Sequence, residues 1–146
     1  MPLRQRIDVL VRLGDHLRGT DDYLQAVIQR TAYQNPWFTT DNQQQALDAI
    51  ADKMLRREKL EQWLERYSVP RLAPARTVGL VMAGNIPLVG FHDLFCIFVA
   101  GHRTQLKLSH KDQYLLPYLL QLLQRFDERT AGYFEIVEKL KDFDAV

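Results

Sequence analysis

Apolar residues recur every three or four positions through the first half of the chain, then gather into short unbroken runs. Leu3, Ile7, Leu10, Val11, Leu13 and Leu17 form a first helical stripe, with Arg, Asp and His between them. Gly19 closes it, and Thr20-Asp21-Asp22 offers a cap for a second helix carrying Tyr23, Leu24, Val27, Ile28 and Ala32. Asn35-Pro36 ends that helix, because the residue before proline is pushed out of the helical region. Thr40 opens a third, striped by Ala46, Leu47, Ile50, Met54 and Leu55. Leu60, Trp63, Leu64 and Tyr67 extend the stripe to Val69-Pro70. The pattern predicts an amphipathic helical layer over 1–72.

From Arg76 the period changes. Residues 77–83, short and apolar between Pro74 and Gly84, read as a strand buried on both faces. Residues 87–100 are nearly all apolar, and Pro87 suits the first position of a buried helix. That run is too short to span a bilayer. Residues 104–108 read as a second strand, 112–129 as a helix, 134–137 as a third strand, and 144–146 as the opening of another. Strand, helix, strand, helix, strand predicts an α/β fold, a βαβαβ half of a nucleotide-binding parallel sheet over 73–146. The chain reads as the front part of a larger enzyme.

Composition narrows the class. With 146 residues, one domain of ordinary size is expected. Nineteen Lys and Arg against 18 Asp and Glu leave a net charge of +1, which removes the electrostatic case for binding nucleic acid. The single cysteine excludes a disulfide framework and a cysteine-based zinc site. Arg4, Arg6, Asp8 and Arg12 break the first apolar stretch, so no signal peptide is read and a cytoplasmic location is expected.

Gly84-Asn85-Ile86-Pro87 carries the most chemistry. It follows a strand and leads toward a helix, at the sheet edge where ligands bind. Asn85 offers an amide donor that can stabilise a developing oxyanion, or it serves as a turn and cap residue. Lys107 and Ser109, with His110 after them, end the second strand. They are placed to meet ribose hydroxyls or phosphate, or form a solvated strand end. Neither GxGxxG nor a P-loop is present. Cys96, between Phe95 and Ile97, reads as buried packing. His92 and Asp93 are adjacent and point about 100° apart on a helix, so they form no dyad with each other. His16 and His102 show no metal-ligand spacing, and no metal is expected.

Taken together, residues 78–93 and 100–109, with Asn35-Pro-Trp-Phe38, Trp63-Leu64 and Tyr67, resemble the acyl-CoA reductases of the LuxC type, in the aldehyde dehydrogenase superfamily. The resemblance implies a Rossmann-like cofactor domain of aldehyde dehydrogenase type. It also implies reduction of a fatty acyl thioester, such as an acyl-CoA, to an aldehyde through an acyl-enzyme. Asn85 matches the asparagine of the superfamily's Trp-Asn-x-Pro motif, which helps form the oxyanion hole. Lys107 and Ser109 match its Lys-Pro-Ser-Glu motif, whose lysine contacts the adenosine ribose. Three positions depart: Gly84 replaces the tryptophan, Leu108 the proline, and His110 stands where an acidic residue often binds the ribose. Losing that acid favours NADPH, with NADH as the alternative. The resemblance places Gly84, Lys107, Ser109 and His110 at the cofactor and the nucleophilic cysteine beyond residue 146. It leaves this chain inactive alone and allows a homo-oligomer in the whole protein. The other readings are an aldehyde dehydrogenase relative acting on a small aldehyde or acyl phosphate, and a non-catalytic helical interaction module.

Overall fold

Two capping side chains set where two of the four amino-terminal helices begin. The computed structural model describes residues 1–69 and 74–146. Helix α1 spans Leu3–Leu17, α2 Asp22–Gln34, α3 Thr40–Ala49 and α4 Arg57–Leu64. The Asp21 carboxylate accepts the Leu24 N–H at 3.0 Å, and the Thr39 hydroxyl oxygen accepts the Asn42 N–H at 3.2 Å. Each answers a donor that the first helical turn leaves open. Asn35, extended before Pro36, ends α2 as expected.

The stripe expected to run from Thr40 to Tyr67 is broken. A π-helical turn, Ile50–Met54, follows α3, and Arg56 takes an extended conformation before α4. The extra residue of the π turn brings Leu55 against α1. A Cβ on Gly14 would stand 2.7 Å from the Leu55 Cβ and 2.9 Å from its carbonyl oxygen. Glycine at 14 is what lets α1 come this close. Pro70, the expected end of the stripe, and the expected boundary at 72 and 73 lie outside the described residues.

Three parallel strands follow: β1 Thr77–Val81, β2 Arg103–Lys107 and β3 Phe134–Ile136, in the order β1-β2-β3. Leu80 pairs with Leu106, and Leu106 with Ile136. Helix α5, Phe91–Ala100, joins β1 to β2; α6, Leu115–Phe126, and a 3-10 turn, Glu128–Tyr133, join β2 to β3. The further strand expected at 144–146 is present as one parallel bridge, Ala145 to Val78. Since β2 occupies one edge of β1, Ala145 lies on the other.

Several boundaries differ from the sequence expectation. The buried helix starts at Phe91 rather than Pro87, because Leu88 takes a left-handed φ of 57° and no helix propagates through that conformation. β1 ends at Val81 rather than at residue 83, although the Met82 N–H still reaches the Lys107 carbonyl at 2.9 Å. The helix expected over 112–129 is confined to α6, because extended Asp127 ends it. One core joins the two halves. Leu10 and Leu13 of α1 lie in the same buried cluster as Phe98 of α5, Leu106 of β2 and Leu119 of α6. No helix among the described residues is long and apolar enough to cross a membrane.

Candidate functional site

The parallel register puts Val81 opposite Lys107, so the loops after β1 and β2 leave the sheet at the same edge. The two loops touch. A Cβ on Gly84 would fall 2.0 Å from the Ser109 hydroxyl oxygen and 3.0 Å from the Lys111 Cβ. Glycine is therefore required at 84 for the loops to form a single rim. Gly84, Asn85, Lys107, Ser109 and His110 are all on or beside this rim, as the sequence indicated.

Their settings differ. The half-buried Ser109 accepts the Lys111 N–H at 3.2 Å on its hydroxyl, and its carbonyl accepts the Asp112 N–H at 3.1 Å. That fixes the turn after β2. Lys107, His110 and Lys111 are exposed, and no lysine in this loop forms an ion pair among the described residues. Asn85 is exposed and lies well before the first turn of α5, whose N-cap is Gly90. The placement of Asn85 at a helix amino terminus is thus corrected: left-handed Leu88 intervenes. Asn85 lines a hollow of 330 Å³ with Trp37, Asn42, Gln45, Ile86 and Pro87.

Asp112 belongs to this rim and was read only as a helix start. It is 5% exposed, and its Oδ1 has no hydrogen-bond partner. Burial pushes its carboxyl up from the usual range, opposed by the Leu88 amide. An acidic residue three positions after Ser109, at a strand's carboxyl end, was the available signal.

Cys96 is corrected from buried to half-buried. It lines a separate hollow of 460 Å³ between α4 and α5, with Trp63, Tyr67 and Val99. Its Sγ lies 3.8 Å from His92 Nε2, a contact legible in the i,i+4 spacing. Burial, then the Asp93 charge, pushes the thiol up, away from the thiolate form. A larger hollow of 780 Å³ lies between α1 and α4. Most of its charges are already engaged: Arg57 pairs with Asp8 at 2.6 Å and Glu61 at 3.6 Å, and Arg6 donates to the Met1 and Val99 carbonyls, while Arg4 stands exposed.

Away from the sheet edge, His16, Asp21 and Tyr118 form a network that sequence reasoning missed. Asp21 Oδ2 lies 2.7 Å from His16 Nε2 and accepts the Tyr118 hydroxyl at 2.5 Å. Burial alone would raise the Asp21 carboxyl, but hydrogen bonds from Tyr118, His16 and the Leu24 amide hold it at about 2. Tyr118 is pushed up to about 12 by burial and its bond to Asp21. No cavity adjoins these groups among the hollows described, and they tie α1 and α2 to α6. Among the described residues, no group of three or more His, Cys, Asp or Glu side chains could hold a metal ion. No family model, curated protein or solved structure matches the chain.

Proposed function

We propose that this chain is the cofactor-binding region of an NADPH-dependent acyl-CoA reductase of the LuxC type, built on the aldehyde dehydrogenase form of the Rossmann-like fold. The observation that carries the reading is the contact of Gly84 with Ser109 at the carboxyl edge of two parallel strands, beside exposed Lys107. In open α/β sheets, ligands bind outside that edge, where the strand order reverses. Here β2 and β3 lie to one side of β1, and Ala145 to the other. On this reading the reversal falls at β1, the strand that leads into Asn85.

The residues fit a phosphorylated dinucleotide. Lys107 at the end of β2 and His110 and Lys111 in the loop after it are exposed, and the acidic side chain that follows them, Asp112, is buried. That arrangement suits a 2′-phosphate and favours NADPH over NADH. NADPH, when bound, would supply the hydride that reduces the acyl group. Lys107 would hold the adenosine ribose, with Ser109, His110 and Gly84 bordering it. Asn85 would donate its amide N–H to the acyl oxygen as that oxygen gains charge. Cys96 lies off this edge with its thiol pushed up, so it does not serve as the acyl-accepting nucleophile. The acyl thioester, the homo-oligomer and the cytoplasmic location belong to the whole reductase in this reading.

Equilibrium binding tests it. The purified chain should bind NADPH weakly and more tightly than NADH, and Lys107→Ala should remove most of that affinity. The chain alone should reduce no acyl-CoA. Undiminished NADPH binding by Lys107→Ala, or thioester reduction by the chain itself, would overturn the reading.

A further inference from the structure

Trp37 is held in solvent by a rigid turn. The Trp37 N–H donates to Asn35 Oδ1 at 3.2 Å, and the Phe38 N–H donates to the Asn35 carbonyl at 2.8 Å. Pro36 takes the second position of this turn, where its fixed φ suits it. Phe38 is fully buried and anchors the turn, while Trp37 stands 78% exposed. The turn therefore fixes the backbone that carries the indole and leaves the ring in solvent.

Trp37 shares its 330 Å³ hollow with three carboxamides, those of Asn42, Gln45 and Asn85. No ionisable side chain lines it. A flat aromatic face beside neutral donors and acceptors suits a planar, uncharged ring with hydrogen-bonding edges. The hollow is joined to the cationic loop after β2 at two points. Asn35 donates from Nδ2 to the Lys111 carbonyl at 3.1 Å, and Gly84, next to Asn85, packs on Ser109 and Lys111. A ring-binding face bordered by free cations matches a nucleotide, whose heterocycle is neutral and whose phosphates are not. A neutral sugar would use the face and leave the cations idle.

We propose that the Trp37 hollow is the ring subsite of a nucleotide, with the heterocycle stacked on Trp37 and its edge on Asn42 and Gln45. The ribose and its phosphates would extend toward Lys107 and Lys111. The proposal rests on the cofactor reading above and gives the helical region a share in binding that strand-edge residues alone would not provide.

Nuclear magnetic resonance of the full chain titrated with NADPH tests it. The chain has two tryptophans, and Trp63→Phe assigns the two indole N–H signals. NADPH should move the Trp37 indole signal and the side-chain amides of Asn42 and Gln45. Trp37→Ala should weaken NADPH binding roughly tenfold, on the scale of one lost base–aromatic stack. Trp37→Phe should restore most of it, and both variants should melt near the parent temperature because the side chain is exposed. Glucose at the same concentration should leave the Trp37 signal in place. If NADPH moves only the amides of residues 107–112, the ring subsite is overturned and the cofactor reading stands. If NADPH moves no signal, both fall. A Trp37 signal that answers glucose but not NADPH overturns the subsite as well.

Discussion

Asn85 and Gly84 are neighbours with opposite demands on their side chains. Asn85 is exposed, so Asn85→Ala should change stability by no more than about 0.5 kcal/mol. On the reductase reading proposed above, the same change in the whole enzyme should lower turnover by roughly 10²–10³-fold, the scale of one oxyanion donor. A clear fall in melting temperature with normal turnover would return Asn85 to the role of a turn residue. Gly84→Ala must displace Ser109, and overpacking of this kind costs about 1–3 kcal/mol. Chemical denaturation of that variant should show the loss. The places of Gly84, Lys107 and Ser109 at the strand ends were legible because residue type and strand end suffice to give them; Asn85 follows β1 as read, but not at the start of a helix. Asp112 and Trp37 were not. The burial of one depends on the Leu88 turn folding over it, and the exposure of the other on its neighbour Phe38 being taken into the core.

Helices and strands were legible wherever the apolar period was long, as in α1, α2 and α6, and failed where one residue's backbone overrode it. Leu88 reads as the second position of a helix, yet its left-handed φ delays α5 to Phe91. The π turn at Ile50–Met54 interrupts the helix where the apolar spacing along the sequence reads on without a break, so periodicity could not reveal it. Two glycines measure how tightly these elements are set. Gly14→Ala would drive a methyl into the Leu55 backbone, an obstacle that cannot rotate away. It should cost more than Gly101→Ala. Gly101 ends α5 at φ 89°, and an alanine methyl there would stand 3.1 Å from the Arg6 guanidinium. A left-handed alanine costs about 1–2 kcal/mol. Urea midpoints of the two variants check the order.

At the scale of the whole molecule, Asp21 couples three helices and sets an acid limit. Its carboxyl titrates at about 2, below the ordinary 3.8. Its contribution is therefore complete above pH 3.8 and is lost as the pH falls through 2. With screening at half-exposed His16 taken into account, that contribution is about 1–2 kcal/mol. Asp21→Asn should be less stable at neutral pH and should lack this acid-dependent loss; parallel pH–stability curves for both proteins would refute the assignment. The α/β class and the parallel strands could be read from short apolar runs separated by helices. The side of β1 on which the chain returns could not, since one bridge at Ala145 decides it. That bridge also governs the order of events during synthesis. Thr77 meets Asp144 across 67 residues of chain, so β1 leaves the ribosome long before the segment that will cover its outer edge. Until residue 145 emerges, β1 presents an open row of N–H and C=O groups, and a second nascent chain on the same message can reach that row first.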